Sequence, residues 1–275
     1  MKYVLLLLLC FPASAQARLV LISTREAPTR QTDTTEMRYW VHDREWKMVS
    51  RSDVIPTRPL IVFAHGNRTS REDSIQTGLG IYQRLKDRER FQFVIWSWPS
   101  DKIPGPRNDA RMKARHCDTQ AYYLATYLHD ADVPTTLVGH SFGARIVTGT
   151  VQLLAGGEIA GRQFPLQDMQ IRRLVLLAAA IDDHSFEGGR ANDRVLTHAT
   201  TTVTRNHLDP ILQLYPQMFR PRGVPAMGLN GPTQATSCTV WDLSTTVGRS
   251  HALQDHLDVP GMFDLFTGDN DEPDS

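Results

Sequence analysis

Three cysteines in 275 residues are too few for a disulfide-stapled scaffold or a four-thiolate zinc site. Charge of one sign is missing too: 30 basic and 30 acidic side chains give a formal net charge of zero. That balance argues against a nucleic-acid binder that works by diffuse basic attraction, and against a polybasic membrane-surface protein. No apolar run reaches the roughly 18–20 residues that a membrane-spanning helix needs. H-E-x-x-H and other tight histidine spacings are absent, and so is G-x-x-x-x-G-K-[ST]. The first absence removes the usual helical zinc site, so no metal is expected; the second removes a phosphate loop, so no nucleotide cofactor is expected. The 41% apolar and 22% charged content is that of an ordinary globular chain, and the length suits one large domain.

One apolar run stands at the start. Lys2 precedes Val4–Phe11, eight apolar residues, and Pro12 ends them. Ala13-Ser14-Ala15 and Ala15-Gln16-Ala17 both have the small-x-small form of a signal-peptidase site. Residues 1–17 are therefore expected to be a removable export leader. Export would place Cys117 and Cys238 in an oxidising compartment where a pair can bridge; two separate buried thiols are the other reading, and the favoured one.

Apolar or β-branched runs bounded by turn residues mark eight strands: Arg18–Ser23, Glu36–Trp46, Leu60–Ala64, Phe91–Ser97, Thr135–Val138, Arg173–Ala178, Thr200–Thr204 and Ser237–Leu243. Helical stretches lie between most of them: Ser70–Glu89, Asn108–His129, and the segment after Ser141 that stops at Gly156-Gly157. Alternation from the third strand onward predicts an α/β fold whose sheet is mostly parallel and covered on both faces. The first two strands have no helix between them and suit an antiparallel start. One domain over residues 18–266 is expected, with an acidic, disordered tail over 267–275.

Chemistry concentrates at Gly139-His140-Ser141-Phe142-Gly143, a G-x-S-x-G between a strand and a helix. A serine at that turn is held in a strained conformation with its Oγ clear of the sheet; glycines two before and two after let the backbones approach. The third strand runs into His65-Gly66-Asn67, and the backbone N–H groups of Asn67 and Phe142 are the expected oxyanion donors. The His65 side chain is expected to bond loop backbone instead.

These residues resemble the alpha/beta-hydrolase superfamily, and more narrowly a branch of serine hydrolases of unknown function. Ile22-Ser23-Thr24-Arg25, His65-Gly66, Trp96-Ser97-Trp98-Pro99-Ser100, Gly139–Gly143, Ala178-Ala179-Ala180-Ile181-Asp182 and Thr204-Arg205-Asn206-His207-Leu208-Asp209 carry the resemblance. It implies an eight-stranded alpha/beta-hydrolase fold and a triad in the order serine, acid, histidine. Asp209, after the seventh strand, is the expected acid, with Asp182 and Asp183 as rivals. His251, eight residues past Leu243, is the expected base, with His256 at thirteen as its rival. Many superfamily members insert a lid between strands six and seven; only 17 residues separate Ala180 from His198, so no lid domain is expected. Trp98 leaves the carboxyl end of the fourth strand, where it either lines the substrate pocket or is buried under the third-strand loop. The function implied is hydrolysis of a small-molecule ester through an acyl-serine. Amidase, thioesterase or acyltransferase chemistry on the same residues is an alternative, as is a non-catalytic binding module.

Overall fold

A computed structural model describes residues 18–29, 33–166, 170–219, 223–234 and 237–268. The expected leader, residues 1–17, lies outside them, as does all of the expected acidic tail beyond Gly268. The strands are β1 (Leu19–Ser23), β2 (Arg38–Asp43), β3 (Glu45–Val49), β4 (Leu60–Ala64), β5 (Gln92–Ser97), β6 (Thr135–His140), a short hairpin of β7 (Glu158–Ile159) and β8 (Arg162–Gln163), β9 (Ile171–Leu177), β10 (Thr200–Arg205) and β11 (Cys238–Asp242). The α-helices are α1 (Arg71–Arg84), α2 (Pro106–Leu128), α3 (Phe142–Leu154), α4 (Val195–His198), α5 (Tyr215–Met218), α6 (Met227–Asn230), α7 (Ser244–Val247), α8 (Leu253–Leu257) and α9 (Met262–Thr267).

Nine strands form one sheet in the order β11-β10-β9-β6-β4-β5-β1-β2-β3. All neighbours from β11 to β1 are parallel; β1–β2 and β2–β3 are antiparallel. The sheet has nine strands rather than eight because the run Glu36–Trp46 is two strands. The chain reverses at Arg44, a non-glycine residue at φ +64°, and pairs Asp43 with Glu45.

Period-two alternation in apolar strands builds two cores. Leu60, Val62, Val94, Trp96, Leu137, Leu174 and Leu176 face α2 and α3, packing on Ala121, Leu124, Ile146 and Val147. Ile61, Phe63, Phe93, Ile95, Val138, Val175 and Leu177 face the other way, against Ile81 of α1, Leu257 of α8 and Phe266 of α9. Each fully buried side chain of this size contributes about 1.5–3 kcal/mol. Such strands cannot show polar alternation, because neither face meets water. Parallel strands sandwiched this way carry their loops to one edge, and the residues singled out above follow the C-terminal ends of β4, β5, β6, β9, β10 and β11.

Between β9 and β10 the chain makes only turns and the four-residue α4. The larger excursion follows β10: α6 packs against the strand ends, with Gly228 N–H donating to Ala179 O and Met227 N–H to Ile181 O. Among the described residues, no helix is long and apolar enough to cross a membrane.

Candidate active site

At the end of β6, Ser141 has φ +54° and ψ −116°, outside the regions open to an ordinary L-residue. Such a conformation costs about 1–3 kcal/mol and persists only where its surroundings over-determine it. Here they do. Ser141 N–H donates to Leu177 O (2.9 Å), and Ser141 O accepts from Ala180 N–H (3.1 Å) and Ala144 N–H (3.1 Å). The flanking glycines are required by contact. A Cβ on Gly139 would fall 2.6 Å from Ala144 N, and one on Gly143 would overlap the carbonyl of Ala64 and lie 2.8 Å from His65 O.

The hydroxyl so presented meets two side chains in series. Ser141 Oγ lies 2.9 Å from His251 Nε2, and His251 Nδ1 lies 2.6 Å from Asp209 Oδ2. Asp209 is 0% exposed. Its second oxygen accepts from Ile211 N–H (2.9 Å) and Leu212 N–H (3.0 Å), so both oxygens of the buried carboxylate are held in place. Donation from Nδ1–H to that carboxylate leaves Nε2 with a lone pair directed at the serine hydroxyl. His251 is held from behind as well: His140 Nε2–H donates to its main-chain oxygen at 3.1 Å.

The β4 loop closes the other side. A Cβ on Gly66 would stand 3.0 Å from His140 Nδ1 and 3.2 Å from Ser141 Cβ, so this loop passes directly beside Ser141. The Asn67 amide side chain turns away, donating to Asp109 Oδ2 (3.2 Å), and Arg68 Nε donates to the same oxygen (2.8 Å). His65 Nδ1–H donates to Gly66 O at 2.9 Å, in line with the expected structural use of its side chain, and burial pushes its pKa down to about 3. The imidazole is therefore neutral at ordinary pH and adds no charge beside Ser141.

The family model described as "Alpha/beta hydrolase of unknown function (DUF900)" matches residues 44–218, from β3 to α5, a span that includes Ser141 and Asp209. The chain belongs to this family. Among solved structures it is similar to esterase B from Lactobacillus rhamnosis (12% identity, 88% of this chain and 85% of that one, TM-score 0.42). It is similar also to TT1662 from Thermus thermophilus (15%, 80% and 92%, TM-score 0.42). Zea mays acyl-protein thioesterase 2 is a third (14%, 69% and 87%, TM-score 0.37). No curated protein sequence matches the chain.

In this alpha/beta hydrolase the rival residues have other partners. Asp182 accepts from Tyr215 Oη–H (2.9 Å) and pairs its backbone with Ala226. Asp183 faces Asn230 and His184. His256 is fully buried in α8 with its ring 6.3 Å from that of His140, and burial lowers its pKa to about 4.

Trp98 does not line a cleft. It is 0% exposed, its indole N–H donates to His65 O (2.9 Å), and its ring stacks on that of His65 at 5.7 Å. The reading of Trp98 as a substrate-lining residue is corrected accordingly: it supports the β4 loop from beneath. Cys117 and Cys238 are separate thiols, the first buried against Phe142 O. A cavity of about 370 Å³ beside Leu60, Thr136 and Arg173 sits at the N-terminal strand ends, opposite Ser141. Among the described residues, no group of three histidine, cysteine or acidic side chains is arranged to hold a metal.

Sequence reading missed Asp109 and His140 as supports of the two loops. Neither carries a motif: Asp109 reads as an acidic residue in the first turn of a helix, and His140 as the variable position of G-x-S-x-G.

Proposed function

We propose that this protein is an exported serine hydrolase that cleaves a carboxylic ester through an acyl-serine intermediate, with Ser141 as nucleophile, His251 as general base and Asp209 as its partner. The observation that carries the reading is the unbroken series Ser141 Oγ–His251 Nε2 and His251 Nδ1–Asp209 Oδ2 at 2.9 and 2.6 Å, starting from a serine at positive φ.

Ser141 Oγ attacks the ester carbonyl as its proton passes to His251 Nε2. Asp209 holds the imidazole in the Nδ1–H tautomer and stabilises the imidazolium. The backbone N–H groups of Asn67 and Phe142 receive the oxyanion; removing one such donor costs about 3–4 kcal/mol. His251 then gives its proton to the departing alkoxide. Water repeats the sequence in the second half: it loses a proton to His251, adds to the acyl-serine, and Ser141 regains its hydrogen as the carboxylic acid leaves.

A short, water-soluble ester is favoured because the β9–β10 connection carries only α4 and turns, leaving no lid to bind a long acyl chain there. Export is supported by Lys2, the Val4–Phe11 run and the small-residue pattern ending at Ala17. A fluorophosphonate probe tests the chemistry. Labelling that maps to Ser141, and ester turnover that vanishes in Ser141→Ala, are expected. A folded protein that resists the probe would instead be a binding module, and probe labelling with turnover of amides or thioesters alone would reassign the leaving group.

A further inference from the structure

Asp209 and His251 come from different loops, after β10 and after β11, and a third side chain ties those loops together. Asn206 follows the last residue of β10 and is fully buried. Its Nδ2 donates to Gly248 O (2.8 Å) and Ser250 O (3.2 Å), the second being the residue before His251. Its Oδ1 accepts from Leu208 N–H (3.0 Å), the residue before Asp209. The main chain is committed as well: Asn206 N–H donates to Gly228 O (2.8 Å), and Asn206 O accepts from Asp209 N–H (3.2 Å).

A primary amide has two hydrogens and one oxygen, and here both hydrogens serve the histidine loop while the oxygen serves the acid loop. No other common side chain of this size offers that combination. Aspartate has the oxygen but no hydrogen to give unless protonated, and leucine has the volume alone. We infer that Asn206 is a positioning residue: it sets the separation of Asp209 from His251, and through it the direction of His251 Nε2 toward Ser141. The inference rests on the proposed hydrolase reading for its kinetic consequence, but not for its effect on the imidazole.

Asn206→Leu and Asn206→Asp test it, with Ile81→Ala in α1 as a destabilised control remote from these loops. Folding is checked by circular dichroism and melting. The proton between His251 Nδ1 and Asp209, in a short charge-assisted bond, gives a downfield proton resonance that does not depend on turnover. Asn206→Leu is expected to lose that resonance and to lower kcat on p-nitrophenyl acetate by about 10²-fold, with KM moved far less, as for a misplaced catalytic group. Asn206→Asp is expected to match it at pH 8. At pH 6 the variant-to-parent ratio of kcat should rise, because the introduced carboxyl, once protonated, regains one donation to Gly248 O; this arm holds even if the leucine variant fails to fold. The control keeps the parent's resonance and pH profile. A folded variant with the parent's resonance and nearly the parent's kcat overturns the inference, as does a parent protein lacking the resonance. A parent that shows the resonance, loses it in Asn206→Leu and yet turns over no ester would sink the hydrolase reading while sustaining this one.

Discussion

His140, the residue before Ser141, donates from Nε2 to the main-chain oxygen of His251 at 3.1 Å, so the strand that leads into Ser141 holds the backbone of the residue that the Ser141 hydroxyl touches. The bond requires a hydrogen on Nε2, which the neutral ring carries when its Nδ1 is bare. Burial first, then the neighbouring His251 and His256, keeps the His140 pKa well below its ordinary value.

Burial of neutral imidazoles predicts acid sensitivity. His65, His140 and His256 are all buried and all have folded pKa values below the ordinary one of about 6.5. The unfolded chain therefore takes up these protons first. Stability is complete above about pH 6.5 and is lost as pH falls toward about 4 for His256 and about 3 for His65. Each such group contributes up to about 1.4 kcal/mol per pH unit within its window. Asp118 and Asp183, raised by burial, act in the opposite sense, because the folded state takes up their protons first. Among the described residues neither ring nitrogen of His256 has a hydrogen-bond partner, so His256→Leu removes two unsatisfied atoms with little loss of packing. Its melting temperature should exceed the parent's at pH 5 by about 2–4 °C, with a smaller gap at pH 7. An equal gap at both pH values would contradict the account.

Asp209→Asn separates charge from shape. The asparagine fits the same space, but its Nδ2 would donate where Oδ2 now accepts, and His251 would have to present an Nδ1 lone pair. The hydrogen then sits on Nε2, aimed at Ser141, and the base is in the wrong tautomer. Turnover should fall by about 10⁴-fold with the fold intact. Asp182→Asn, which disturbs the Tyr215 contact and removes a charge near Arg145, should leave kcat near the parent's. The comparison is a steady-state assay on the two variants, and equal losses would reopen the choice of acid.

Gly143→Ala tests whether the elbow is tight for steric reasons. The added Cβ would overlap the Ala64 carbonyl, which is backbone in the central strand β4 and cannot swing aside. Overpacking of this kind costs about 3 kcal/mol, or roughly 6–12 °C in melting temperature for a domain of this size. Gly80→Ala, in α1 with open space at its Cβ position, should be neutral or stabilising.

The fold was legible because its strands are apolar on both faces and its helices lie between them, patterns that survive in one dimension. Ser141, Asp209 and His251 could be singled out as candidates because chain order after the G-x-S-x-G narrows the choice to loops at strand ends, and the structure brings the three side chains together. The missing strand boundary at Arg44 was not, since a positive-φ arginine bears no glycine or asparagine to announce the turn. Asp109, Asn206 and His140 were not legible as supports either. Each depends on at least one contact across 41 or more residues, such as Asp109 with Arg68, and no local spacing encodes those.

Trp98 shows the same limit from the other side, because an aromatic at a carboxyl strand end reads equally well as pocket wall or as foundation. Its burial and its bond to His65 O decide the matter, and they make a prediction that the pocket reading would not. Trp98→Phe keeps a stacking ring against His65 but removes the donor, leaving His65 O unsatisfied beneath the loop that carries Asn67. The cost should be about 1–3 kcal/mol of stability. With a looser β4 loop, kcat should fall for every ester in a chain-length series by the same factor, with the preference among them unchanged. A pocket wall behaves differently: trimming it changes which acyl or alcohol group fits, so the ranking of substrates would shift. A shifted ranking in Trp98→Phe would mean that the indole reaches substrate after all.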